Sequence, residues 1–157
     1  MRVLLPACCL AFAALATDAA GFSVLDRDTA RRLANPATYQ APAVVALWST
    51  ECAYCKKNLK LLGALSRQAK PLTVVTVATE AELPESGPIL DGFRVRGPRY
   101  AYGNDAPEAL AYALDPAWQG ELPRTLIFDG RGGRTVVSGV LDRAALDQAL
   151  ARPATKP

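Results

Sequence analysis

Cys52 and Cys55, separated only by Ala53-Tyr54, are the residues of this chain whose type and spacing are best suited to chemistry. Two thiols three positions apart can close an intramolecular disulfide and reopen it, exchanging two electrons with a second thiol pair. Two other uses of the pair stay open. A fixed structural bridge would be a weak staple, because closing a loop of about four residues contributes only roughly 2 kcal/mol. A zinc site would need two further ligands, and with no His and four Cys in 157 residues, carboxylates or a second subunit would have to supply them. The missing His also removes Ser-His-Asp and Cys-His nucleophile systems, His-ligated copper, and any imidazole acid or base near neutral pH.

The segments around the pair must position it. Val44 to Trp48 is a short apolar, β-branched run, suited to a strand buried on both faces. Ser49-Thr50-Glu51 then offers a turn. From Ala53 to Ala69 the apolar residues Leu59, Leu62, Leu65 and Ala69 recur at helical spacing, with Lys56, Lys57, Lys60 and Arg67 on the other face and Pro71 as a stop. Leu72 to Thr79 reads as the next strand, so the segment is a βαβ unit with a right-handed crossover. Cys52 therefore falls where strand gives way to helix, beside unpaired backbone N–H groups that favour its thiolate. Cys55, four residues before Leu59, faces inward. That assigns attack to Cys52 and resolution of the mixed disulfide to Cys55. Lys56 and Lys57 either add positive field or are solvated lysines on an exposed helix face.

Composition sets the class. The chain carries 18 Lys plus Arg against 15 Asp plus Glu, a net charge of +3 that gives no argument for nucleic acid. Arg94, Arg96 and Arg99 with Tyr100 and Tyr102 read as an exposed loop and strand rather than a nucleic-acid face. Arg2, the apolar run from Val3 to Ala16 and the small residues after it read as a secretory signal over 1–20, with cleavage near Ala16 to Ala20. An uncleaved membrane anchor is the alternative, although the run is short for a span of about 20 residues. Cys8 and Cys9 leave with the signal, and Cys52 and Cys55 remain as the cysteines of an exported domain over 21–152. Residues 153–157 read as a frayed tail.

The run from Val44 to Lys57 and the later stretch Glu121-Leu122-Pro123-Arg124-Thr125-Leu126-Ile127-Phe128-Asp129-Gly130 together resemble the thioredoxin superfamily, specifically its exported TlpA/ResA-like members. The resemblance implies an α/β thioredoxin-like fold, with a central mixed β-sheet flanked by helices and an added central strand and helix. Arg99 to Tyr102 is the expected added strand. Pro107 to Leu114 is the helix, capped by Asn104 or Asp105. After the turn at Gly130 to Gly133, Arg134 to Gly139 closes the hairpin and Asp142 to Ala151 forms the last helix with Asp142 as N-cap. The resemblance also assigns Pro123 as a cis-proline against the cysteine pair, with the backbone of Leu122 pairing to a substrate chain. Tyr54 and Trp48 are the further substrate contacts.

Two departures from the family bear on mechanism. Glu51 stands where relatives carry Trp before the first Cys, and its carboxylate opposes the Cys52 thiolate, engages a partner, or is simply solvated. Ala46 stands where many thioredoxins bury an acid, and Asn58 where some relatives have one, so Cys55 lacks an obvious buried proton acceptor and resolution should be slow. The function implied is an exported, periplasmic thiol-disulfide oxidoreductase that reduces client disulfides, as in cytochrome c maturation, without metal or cofactor beyond the Cys52/Cys55 pair. Its partners would be exported client proteins with cysteines and a membrane thiol-electron donor. Two alternatives remain: a disulfide oxidant or isomerase, and a non-catalytic peptide-binding module with a structural disulfide.

Overall fold

The computed structural model describes residues 21–68 and 72–151. The expected signal segment with Cys8 and Cys9, the expected helix end at Ala69 and Pro71, and the tail from Pro153 lie outside the described residues. Six strands form one mixed sheet: β1 (Ser23–Leu25), β2 (Ala43–Trp48), β3 (Thr73–Ala78), β4 (Arg99–Tyr102), β5 (Arg124–Phe128) and β6 (Arg134–Ser138). Their order is β1-β4-β3-β2-β5-β6, with β1, β4, β3 and β2 parallel and β5 and β6 joined antiparallel. Helices cover both faces. α2 (Ala53–Leu65), α3 (Ser86–Gly92) and α5 (Arg143–Ala151) pack on one side, and α1 (Arg27–Ala34) and α4 (Pro107–Leu114) on the other.

The central strand explains this layering. Every position of β2 is buried, so alternate side chains feed two separate cores. Val44, Ala46 and Trp48 meet Cys55, Leu59 and Leu62 of α2 together with Leu146 of α5. Ala43, Val45 and Leu47 meet Leu33 of α1 and Leu110 and Leu114 of α4. The βαβ unit stands as expected, with β2 and β3 in parallel register from Ala43 opposite Thr73 to Trp48 opposite Ala78. The added strand and helix stand at the expected residues. β4 lies between β1 and β3, and α4 packs with α1 on the second face.

Three details differ from expectation. α2 ends at Leu65, earlier than the apolar spacing implies: the Arg67 and Gln68 N–H groups turn to carbonyls three residues back at 3.4 and 3.3 Å, and the Leu72 N–H comes to the Leu65 carbonyl at 3.4 Å. α4 is capped by neither Asn104 nor Asp105. Ala106 occupies the N-cap and Pro107 follows with no N–H to satisfy, while the Asp105 carboxylate accepts the Arg27 N–H at 3.0 Å. β1, α1 and α3 carry no signal in the sequence strong enough to be anticipated: β1 has three residues, and α1 is half charged with its buried apolar side limited to Ala30 and Leu33. Asp142 caps α5 as expected, its carboxylate accepting the Ala145 N–H at 2.7 Å. The Gly130 to Gly133 turn is held by Asp129, whose Oδ1 accepts from Arg131 and Gly133 N–H at 2.7 and 2.8 Å. The Arg131 backbone donor is the main reason the Asp129 carboxyl sits below the usual carboxylate range.

Gly63 turns a helix-propensity argument around. Within α2 a glycine costs about 1 kcal/mol relative to alanine, yet a Cβ built there would stand 2.1 Å from the Phe93 carbonyl oxygen. That neighbour is backbone and cannot swing aside. Gly63→Ala should therefore lower stability by about 1–3 kcal/mol, as overpacking does, measured by urea denaturation. A gain near 1 kcal/mol would show that α2 and Phe93 have room to separate.

Candidate active site

Cys52 is the N-cap of α2. Its backbone is extended (φ −80°, ψ 98°), and its sulfur accepts the Cys55 N–H at 3.1 Å, one of the donors that the first helical turn leaves without a partner. The two cysteines are joined as a disulfide. Their environments differ sharply: Cys52 is half-buried, whereas Cys55 is 1% exposed and belongs to the core beneath α2. The turn that leads to Cys52 is pinned at two points by the residues that follow β3. Thr79 N–H donates to the Trp48 carbonyl at 2.9 Å, and Thr50 N–H donates to Glu80 Oε1 at 2.6 Å. Glu80 had no local signal in the sequence, because its partner lies 30 positions away.

A second loop arrives at the same end of the sheet. β5 pairs with β2 so that Arg124 lies opposite Leu47, which sets Pro123 next to the strand end that runs into the cysteine turn. The Leu122–Pro123 peptide is cis, Pro123 is buried and Leu122 is half-buried. Polar contacts fix both flanks. Trp118 Nε1 donates to the Glu121 carbonyl at 2.7 Å. Arg124 Nε donates to Asp115 Oδ2 at 3.1 Å, and the same guanidinium bonds the Glu121 carboxylate and, at 2.6 Å, the Ser138 hydroxyl. The Ser138 hydroxyl in turn donates to Glu121, and this bond is the main reason the Glu121 carboxyl sits below the usual carboxylate range. Asp115 also pairs with Arg134 at 3.3 Å. Asp115 was invisible in the sequence as a functional residue, since it begins the α4–β5 loop and meets Arg124 only when that loop closes on itself.

No protein-family model matches the chain, and no curated protein matches it by sequence. Solved structures do. A secreted Mycobacterium tuberculosis disulfide oxidoreductase superposes with a TM-score of 0.58 at 19% identity, covering 76% of this chain and 96% of that one. A thiol:disulfide interchange protein of the thioredoxin family from Chlorobium tepidum gives 0.58 at 19% identity, over 71% of this chain and 79% of that one. The thioredoxin domain of a Bacteroides vulgatus thiol-disulfide oxidoreductase gives 0.55 at 16% identity, over 71% and 78%. The chain has a thioredoxin-like fold.

Within this thioredoxin-like domain most of the residues singled out in the sequence gather at one end of β2. Cys52, Cys55, Tyr54, Glu51 and Lys56 lie on the turn and first helical residues, and Leu122 and Pro123 on the facing loop. Tyr54 is 60% exposed, and Lys57 Nζ sits 4.9 Å above its ring. Glu51 is exposed and Lys56 half-buried. Trp48 does not fit the contact role expected of it. As the last residue of β2 it points under α2 into the core, is 1% exposed, and presents no face to a bound chain. Ala46, the position of a buried acid in some relatives, is flanked in register by Thr76 and Thr125, so hydroxyls and a methyl replace a carboxylate in that row. Among the described residues no group of three or more acidic, histidine or cysteine side chains could hold a metal ion, and no helix is long and apolar enough to cross a membrane.

The Arg124–Asp115 pair is the buried electrostatic element of the site, with side chains 11% and 8% exposed. Removing Asp115 leaves the largely buried Arg124 guanidinium with only Glu121 and Ser138 and breaks the Asp115–Arg134 pair as well. Asp115→Ala should cost about 3 kcal/mol of stability, the lower end for a broken buried pair, read from urea denaturation. A loss under about 1 kcal/mol, the scale of an exposed pair such as Arg143–Asp147, would show that the network holds nothing in place.

Proposed function

We propose that this protein is an exported thiol-disulfide oxidoreductase that reduces disulfides of client proteins through Cys52 and Cys55. The observation that carries the reading is the asymmetry of the pair: one cysteine half-buried at the N-terminus of α2, the other enclosed one turn away. In the reduced state the helix terminus favours the Cys52 thiolate, which is the attacking species. Cys52 bonds one sulfur of the client disulfide, and the other leaves as a thiolate that takes up a proton. Cys55 then gives up its proton and attacks the Cys52 sulfur, forming the intramolecular disulfide and releasing the second client thiol. Two electrons pass from protein to client. No carboxylate stands at the Ala46 or Asn58 positions to accept the Cys55 proton, which supports a slow second step.

The dipeptide Ala53-Tyr54 brings no imidazolium beside Cys52 that would further stabilise the reduced form, and this supports the reducing direction. Export is supported by the apolar run after Arg2 and by the secreted Mycobacterium tuberculosis protein of the same fold. The place of action is then the periplasm. The clients are exported proteins with cysteines, apocytochrome c heme-attachment thiols among them, and the oxidised pair is recharged by a membrane thiol-electron donor. Leu122 offers its backbone to the client chain, and Tyr54 flanks the entering sulfur.

The reduced protein should reduce insulin disulfides, with Cys52→Ser falling to the uncatalysed rate and Cys55→Ser accumulating a mixed disulfide through Cys52. Mass spectrometry of the trapped adduct checks the assignment. No reduction by the wild-type protein and no adduct at Cys52 would overturn it.

A further inference from the structure

Asn58 is a buried amide, 2% exposed, on the inward face of the cysteine helix one turn after Cys55. Its neighbours on that face are apolar: Cys55, Leu59 and Leu62. A leucine here would be buried without desolvating an amide, so packing alone does not account for the residue. Both ends of the amide are engaged. Nδ2 donates to the Gly139 carbonyl at 3.1 Å, and Oδ1 accepts the Leu141 N–H at 2.8 Å. The orientation follows from the partners, since a carbonyl can only accept and a backbone N–H can only donate. The two bonds span the turn that links β6 to α5, on either side of Val140, which is 50% exposed.

The same turn reaches the proline loop. Gly139 N–H donates to the Pro123 carbonyl at 2.8 Å, and Gly139 holds a φ of 88° that suits glycine. A short bonded path therefore runs from the helix that carries the cysteines, through Asn58 and Gly139, to Pro123. Without the Asn58 amide, the Gly139 carbonyl and the Leu141 N–H would be left to find other partners under α2.

We infer that Asn58 is a positioning residue that, through the Gly139–Leu141 turn, fixes the Leu122–Pro123 loop relative to Cys52 and so presets the edge that receives a polypeptide client. The inference rests on the oxidoreductase reading above and adds a residue to it. It separates two classes of disulfide. A small aromatic disulfide needs only an accessible Cys52. A polypeptide disulfide must also lie along the loop, so it feels the loss of the preset edge as weaker binding.

The test compares wild type and Asn58→Leu on insulin and on 5,5′-dithiobis(2-nitrobenzoate). The expected result is a rise of about tenfold in KM for insulin with kcat held, and an unchanged rate with the small disulfide, the signature of lost binding rather than lost chemistry. Equal loss on both substrates, or an unchanged KM for insulin, overturns the inference. Amide hydrogen exchange in the wild-type protein decides the matter even if Asn58→Leu fails to fold. Slow exchange at both Gly139 and Leu141 is expected, and exchange at the rate of an unstructured chain overturns the clamp. If wild type reduces neither disulfide, the oxidoreductase reading falls, and the exchange rates still judge the clamp separately.

Discussion

The structure turns on the sulfur of Cys52 occupying the cap of α2. A helix start leaves backbone donors without partners, and here the Cys55 N–H points at Cys52 sulfur rather than at a Ser or Asp oxygen. The same local geometry that closes the disulfide also favours a thiolate once it opens. For that to serve chemistry, the helix must begin at Cys52 and at no other residue. β2 enforces this by being buried on both faces up to Trp48, so the chain turns only when it leaves the sheet. The Glu80 carboxylate then holds Thr50, and with it the length of the turn.

Around that point the molecule places two kinds of reinforcement. One is electrostatic: Arg124, Asp115, Glu121, Ser138 and Arg134 tie the proline loop to the end of α4 and to β6. The other is the buried amide of Asn58, which ties the cysteine helix to the β6–α5 turn. Both act on backbone near Pro123, from opposite sides. A polypeptide client docking along Leu122 would thus meet a loop that has already lost its freedom, which lowers the entropic cost of binding.

Much of this was legible in the sequence, and the reasons are physical. Cys52, Cys55 and the βαβ unit are read from local spacing, because helix period, strand burial and cap position are all properties of neighbouring residues. Arg99–Tyr102 and Pro107–Leu114 stand at the limits expected for the added strand and helix that the resemblance to the thioredoxin superfamily implies. What stayed hidden depends on partners far along the chain. Glu80 meets Thr50 across 30 positions, Asn58 meets Leu141 across 83, and Arg124 meets Asp115 across a loop. Trp48 buries its ring although it stands at the strand end nearest the cysteines, because β2 is covered on both faces to its last residue. β1 and α1 escape a reading of the sequence because three residues and a short, half-charged helix gain their stability from β4 and α4, not from their own pattern.

α2 gives the two cysteines unequal surroundings, and unequal reactivity should follow from them. Alkylation of the fully reduced, folded protein with iodoacetamide near neutral pH, followed by mass spectrometry of its peptides, tests it most directly. Rapid modification of Cys52 is expected, faster than that of N-acetylcysteine under the same conditions, with Cys55 spared. Equal modification of both cysteines, or Cys55 reacting first, would contradict it.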